Sequence, residues 1–308
     1  MNVDFDTYRK QRGYSDKTIK TQNYGINRFR GWCVSQSINP EEITYNQALQ
    51  FIDGERQRGV ANPSIINEIN AIRVYFNYLQ ETGIIARNVI KRIKIRQTTK
   101  RVLSEILTVQ QLEDIYQNFV SLPVWEFTSQ RKCELHKRNT VILGLLVYQG
   151  LTSGEIAKLE AGHINLMEGK IYIPATKKSN ARTLKLQANQ ILPMKNYIEE
   201  LSVISCQLLE TQVLKSETYN LKTTAYLFPT KKESSLICNI IQQAKKLNPE
   251  IIDSRQIRAS VIMNRLKSNN IRQVQYMTGH KKIKSTEQYR NQDLTDLSKQ
   301  LELFHPLR

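Results

Sequence analysis

Thr278-Gly279-His280 is followed by Ser285-Thr286-Glu287-Gln288-Tyr289, so a histidine and a tyrosine stand nine positions apart, with Arg255-Gln256-Ile257-Arg258 a short way upstream. These residue types at these offsets suggest phosphoryl transfer. A phosphodiester concentrates negative charge around phosphorus while it is being displaced, so a site acting on it must aim fixed cations and hydrogen-bond donors at the non-bridging oxygens. Arg258 and His280 suit that task. The attacking group must hold a strand and later release it, and a phenol, with a pKa of about 10 in free tyrosine, meets both conditions. Tyr289 is therefore the candidate nucleophile, and its product would be a phosphotyrosyl link.

The rest of the chain must position these groups on a suitable partner. Forty-five Lys plus Arg against 28 Asp plus Glu give a net charge of +17 and a pI near 9.7. An excess so one-sided makes a polyanion the leading partner. Nucleic acid is favoured over a membrane, because no apolar run approaches the ~20 residues needed to span a bilayer. The longest, Val141 to Val147, reads as a buried helix. Cys33, Cys133, Cys206 and Cys238 are scattered without a C-x-x-C pair, so neither a zinc site nor a disulfide framework is expected. They read as core or surface thiols in a reducing cytosol, and residues 1–12, polar and lacking the apolar core of a secretory leader, argue against secretion. With 308 residues, 40% of them apolar, there is material for two cores.

The first part reads as helices. Ser15 caps a helix whose Ile19, Ile26, Phe29 and Cys33 share one stripe, with Lys17, Lys20, Asn27 and Arg28 off it. Thr44 and Gln47 have capping-box spacing, and Asn62-Pro63 reads as an N-cap with proline at the first helical position. Ile65, Ile69, Ile72, Phe76 and Leu79 then line a helix that Gly83 stops. From Arg87 to Ser104 there is no acidic residue, while Lys91, Arg92, Lys94, Arg96, Lys100 and Arg101 crowd together; this is the expected boundary. Beyond it, Thr108 and Gln111 form a second capping box ahead of a helix to about Asn118, and residues 140–149 form an apolar helix ending at Gly150. Alternating stretches at 163–166, 170–174 and 182–186, parted by Glu168-Gly169 and Ser179-Asn180, predict a three-stranded antiparallel sheet. Helix returns afterwards, with Ser285-Thr286 read as a cap just before Tyr289.

The expected fold is mainly α: a helical bundle at 1–93, a basic linker at 94–104, and a catalytic domain at 105–308 that holds the small sheet. Leu294, Leu297, Leu301 and Phe304 recur at helical spacing in a tail suited to docking on a neighbouring copy or on its own domain.

Gly279-His280 with Tyr289 nine residues on, Arg258 ending an x-x-R turn, and Lys177 five residues before Arg182 in a hairpin resemble the tyrosine recombinase (phage integrase) family. The resemblance covers nearly the whole chain. It implies that Arg258 clamps the scissile phosphate, that His280 donates a hydrogen bond to it, and that Lys177 is the acid protonating the departing 5′ oxygen. Lys178 competes with Lys177 for that role. Glu155 would support the site from behind. In the bundle, implied to be a core-binding domain, Lys17, Lys20, Asn67, Asn70 and Arg73 would face the major groove, with Lys91, Arg92 and Lys94 on phosphates.

Two positions depart from the pattern. The family has an arginine after the Gly-Leu pair, and here that place is Thr152; the residue three before Arg258, commonly histidine or lysine, is Arg255. Losing one charge-assisted contact to a transition-state oxyanion costs ~10²-fold or more in rate, about 3 kcal/mol, so compensation is required from Arg255, Lys178 or an arginine elsewhere. The implied partners are double-stranded DNA carrying specific sites, a homotetramer assembled on it, and accessory DNA-bending proteins. With neither a P-loop nor a metal-ligand cluster in view, no cofactor and no metal are expected. The expected activity is site-specific recombination for a mobile element, in the cytoplasm at the nucleoid. Its rivals are a type IB topoisomerase-like nicking activity and a catalytically silent DNA-binding regulatory or architectural protein.

Overall fold

The structure, a computed structural model, describes residues 4–95, 105–122, 129–213, 226–228 and 233–290, with the backbone alone at 202–213 and 233–234. Arg96, Lys100, Arg101 and the tail with Leu294, Leu297, Leu301 and Phe304 lie outside the described residues. The chain is mainly α-helical and divides into two compact units between Val102 and Leu103, inside the basic stretch.

In the first unit α1 (Phe5–Gln11), α2 (Asp16–Ser35), α3 (Tyr45–Gln57) and α4 (Asn62–Glu81) are followed by a 3-10 turn, Val89–Arg92. Ser15 caps α2 through Thr18 N–H, and the Thr44–Gln47 capping box opens α3. The start of α4 differs from expectation: Ala61 holds the N-cap position and Asn62 is already helical, so no side chain caps this helix. The proline at the first turn pre-sets φ and removes one donor that would otherwise go unpaired, which lets α4 begin without a cap. Ile26, Phe29 and Cys33 of α2 interlock with Ile65, Ile69, Ile72 and Phe76 of α4 in one buried cluster. The two helices approach closely at Gly25, where a Cβ would meet the Glu68 backbone at 3.3 Å.

The second unit contains α5 (Val109–Val120), α6 (Gln130–Gly144), a π-helical turn Leu145–Gln149, α7 (Ser153–Ile156), β1 (Ile164–Asn165), β2 (Lys170–Ile173), β3 (Arg182–Lys185), α8 (Ala188–Val213), α9 (Glu233–Leu247), α10 (Ser254–Ser268) and α11 (Ile271–Thr278). Residues 284–290 form a last helical stretch. The Thr108–Gln111 capping box opens α5. The helix expected at 140–149 is longer and irregular. It begins at Gln130 under a Ser129 cap, and only its second half is buried, so apolar pattern alone could not find the polar first half.

The three strands pair antiparallel in the order β1-β2-β3. Register sets Ile171 opposite Leu184 and Ile173 opposite Arg182, so the inward face of the hairpin reads Ile171, Ile173, Leu184 and Arg182. The two-residue period of a strand thus drives a guanidinium into the interior, where it needs a carboxylate.

Candidate active site

Four local structures bring the charged groups together. Asp253 accepts from the backbone N–H groups of Arg255 (2.9 Å) and Gln256 (2.8 Å), launching α10. Arg255 is left exposed at the first turn, while Arg258, one turn on, points inward with its side chain 15% exposed. The Asn270–Gln273 capping box opens α11, which ends in Gly279 at φ 70°, a left-handed residue that turns the chain. A Cβ on Gly279 would collide with the Arg182 guanidinium, so glycine is required here for space as well as for φ. His280 N–H donates to Gln275 O, and Gln275 Nε2 donates back to His280 O, both at 3.1 Å.

Glu155 lies at the centre, fully buried. Its Oε1 accepts from Arg182 Nη1 at 2.6 Å; its Oε2 accepts from both the N–H and the hydroxyl of Thr152 at 2.8 Å and lies 3.7 Å from Arg258 Nη1. Burial would raise the Glu155 pKa, but the hydrogen bond and charge of Arg182, the Thr152 N–H and the charge of Arg258 overturn that and hold it down at about 2. Arg258 donates from Nη1 to Gly150 O and from Nη2 to Thr278 O at 3.0 Å. Arg265, two turns further along α10, donates to Tyr148 O at 2.7 Å, and Arg182 Nε donates to Met277 O at 3.0 Å. Carbonyls at two helix C-termini, where the peptide dipoles end negative, thus hold Arg182, Arg258 and Arg265 near one another, the first two against Glu155. Burial first, then the charges of Arg182 and Arg258, lowers the Arg265 pKa to about 10.

His280 Nε2 lies 3.4 Å from Arg258 Nη2, and Nδ1 lies 2.8 Å from Thr286 Oγ1. The ring of half-buried Tyr289 runs parallel to the imidazole, at 10° and 6.2 Å between centroids. The Arg258 guanidinium senses both the Glu155 carboxylate and the Tyr289 phenol, which pull its pKa up against the larger lowering by burial. The loop between β2 and β3 is pinned to the same place: Asn180 N–H donates to Gly279 O at 2.9 Å, and Ser179 bridges to His280. Lys177 rides on this loop with its side chain exposed, next to exposed Lys178.

Arg258, His280, Tyr289, Glu155 and Thr152 therefore converge, and the Lys177 loop is bound at their edge. Arg255 does not join them through any contact seen among the described residues. Ser285-Thr286 is not a cap: both residues lie within helix 284–290, and Thr286 is fully buried. Arg182 and Thr286 went unrecognised as parts of the site. For Arg182 the sequence did carry a signal, since it alternates with Leu184 and Leu186 and must share their inward face.

In the first unit Lys17, Asn67 and Asn70 line a groove between α2 and α4 together with Tyr24 and Arg28. Lys20 is exposed on α2 but does not line that groove. Arg28 is paired with Glu55 (2.8 Å) and Glu68 (3.0 Å). Arg73 is engaged within the domain, donating to Ile93 O at 2.8 Å and to Asn70 Oδ1. Lys91, Arg92 and Lys94 are exposed on and after the 3-10 turn.

Burial first, then the charges of Arg258 and Arg182, lower the His280 pKa from 6.5 to about 4, with Glu155 opposing. Because the folded value lies below the unfolded one, stability from this residue is complete above pH 6.5 and is lost as pH falls towards 4. An NMR titration of the histidines should find His280 still neutral at about pH 6; protonation with an ordinary histidine midpoint would contradict this burial.

Residues 105–295 match the model of the phage integrase family, and residues 4–83 that of the phage integrase N-terminal SAM-like domain. The chain belongs to the phage integrase family. It is 23% identical over 304 residues to the TnP I resolvase of Bacillus thuringiensis, covering 97% of this chain and 98% of that one. It is likewise 23% identical over 299 residues to tyrosine recombinase XerD of Chlorobaculum tepidum, covering 96% and 92%. Its fold is similar to that of XerH site-specific recombinase bound to palindromic difH substrate, with a TM-score of 0.65, 19% identity and coverage of 97% and 83%. Among the described residues no helix is long and apolar enough to cross a membrane, and no group of three or more His, Cys, Asp or Glu is placed to hold a metal ion.

Proposed function

We propose that the protein is a site-specific DNA recombinase that breaks and rejoins strands through Tyr289. The phenolic oxygen attacks a backbone phosphorus in line, a bond from Tyr289 oxygen to phosphorus forms, and the bond from phosphorus to the 5′ oxygen breaks. The phenol proton passes to solvent water, and the 5′ oxygen takes a proton from Lys177. The 3′-phosphotyrosyl link conserves the energy of the broken bond. The 5′ hydroxyl of a partner strand then displaces Tyr289 by the same steps reversed. Arg258 and His280 stabilise the charge that develops on the non-bridging oxygens.

The observation that carries this reading is the convergence of Arg258, His280 and the parallel Tyr289 ring at one half-buried edge, backed by Glu155. The cation absent at Thr152 is offset in part by the field of buried cations beside Arg258: Arg182, paired with Glu155, and Arg265, which lies close enough to both arginines to be repelled by them. Exposed Arg255 and Lys178 are less suited to that place. The groove with Lys17, Asn67 and Asn70 and the cations Lys20, Lys91, Arg92 and Lys94 bind the duplex, so affinity should fall steeply with salt.

Exchange between two duplexes calls for four protomers on DNA and leaves room for accessory DNA-bending proteins. Likeness to a TnP I resolvase supports work for a mobile element, carried out on DNA in the cytoplasm. The test uses the duplex that the purified chain selects from a random pool. Two direct copies on a supercoiled plasmid should recombine and release the intervening circle in EDTA and without nucleotide. A plasmid that is bound and never cut would favour a silent DNA-binding relative.

A further inference from the structure

Thr286 is fully buried three residues before Tyr289, and its hydroxyl touches His280 Nδ1 at 2.8 Å. On the other side of the imidazole, Nε2 lies 3.4 Å from Arg258 Nη2. A guanidinium can only donate, so this contact is favourable when Nε2 carries the lone pair. The ring is neutral and has one hydrogen, which then sits on Nδ1 and is donated to the Thr286 oxygen. With the hydrogen on Nε2 instead, two donors face each other across 3.4 Å, and only an acceptor placed between them relieves the conflict. Arg182 Nη2, buried without an acceptor among the described residues, adds to the local excess of donors.

A non-bridging phosphate oxygen is such an acceptor. Once it takes hydrogens from Nε2 and from Arg258, Nδ1 must become the acceptor, and its partner must turn from accepting to donating. A hydroxyl does both by rotating about one bond, whereas a backbone carbonyl can only accept and an amide N–H can only donate. We propose that Thr286 is a positioning residue that lets His280 exchange tautomers when a DNA phosphate enters: Nδ1–H is donated to Thr286 in the DNA-free protein, and Nε2–H is donated to the phosphate in the complex. The exchange takes up one proton from solvent at Nε2 and returns one from Nδ1, so net protonation is unchanged. Thr286 and Tyr289 lie on one face of the same helical segment, so this bond also sets the parallel stack of the Tyr289 ring on the imidazole. The inference rests on the recombinase reading for the identity of the anion.

The test combines nitrogen NMR with cleavage. In full-length protein with ¹⁵N-labelled histidine, four residues give signals, and loss of one in a His280→Asn variant assigns His280. The free protein should show the Nδ1–H form, and addition of the selected duplex should convert it to the Nε2–H form. In Thr286→Val the conversion should be lost and cleavage of a nicked substrate should fall by about tenfold or more, the scale of one lost hydrogen bond. Thr286→Ser should restore both. The same tautomer with and without DNA, an imidazolium in the complex, or a Thr286→Val protein that cleaves as fast as wild type would overturn the proposal. A wild-type protein that forms no covalent adduct refutes the recombinase reading instead, while the NMR signals still decide the tautomer.

Discussion

Tyr289→Phe is expected to bind the selected duplex as tightly as wild type and to form no covalent adduct with it. The substitution removes one oxygen from a half-buried ring and keeps the parallel stack on His280, so stability should change by no more than about 0.5 kcal/mol. Because Arg258, His280 and the Lys177 loop remain in place, any residual cleavage would require a different nucleophile. Gel separation of adduct from non-covalent complex reads both properties in one experiment. An adduct that survives the substitution would remove the nucleophile from the account and leave the cation cluster without its proposed task.

The largest effect on stability is expected at Glu155. Its carboxylate and the Arg182 guanidinium are both fully buried and joined at 2.6 Å. Removing one member of such a pair strands the other charge, at a cost of about 3–5 kcal/mol. Glu155→Ala should lower the urea midpoint accordingly with little change in slope. Replacing both residues with methionine should recover part of that stability while leaving cleavage impaired, because Arg182 is no longer left as a stranded charge but Arg258 has lost its carboxylate neighbour. The pH dependence follows from the depressed carboxyl. The contribution is complete above the unfolded value of 4.5 and is lost as pH falls through about 2, so the double variant should be less sensitive to acid over that range. A Glu155→Ala protein as stable as wild type would show that the pair contributes little.

Much of this candidate site was legible because the residues proposed for its chemistry sit at fixed offsets along the chain. Tyr289, His280 and Arg258 could be named from residue type and spacing, and the hairpin carrying Lys177 from alternation and turn residues. Helix caps with a local rule, at Ser15, Thr44 and Thr108, were equally legible, since a cap depends on a few neighbouring residues. What stayed hidden depends on contacts distant in sequence. Arg182 meets Glu155 across 27 positions and Arg258 meets Gly150 across 108; alternation with Leu184 turns Arg182 inward, but no local pattern announces the partner of either. Thr286 was misread for a related reason: Ser-Thr before a polar run looks like a helix start. The helix begins two residues earlier, so the threonine faces inward and its partner is an imidazole six residues back. Likewise the polar start of α6 offered no apolar stripe, because its burial begins only where α6 enters the core at Asn139.

The central claim is that one phenolic oxygen takes the strand. It is tested by trapping the wild-type protein on the selected duplex carrying a nick beside the cleavage point, digesting the adduct with trypsin and nuclease, and locating the nucleotide by mass spectrometry. The account predicts a nucleotide joined through its 3′ phosphate to Tyr289, in the tryptic peptide between Lys284 and Arg290. Attachment through a 5′ phosphate, or to another residue such as the exposed Tyr276 beside Thr183, would contradict it.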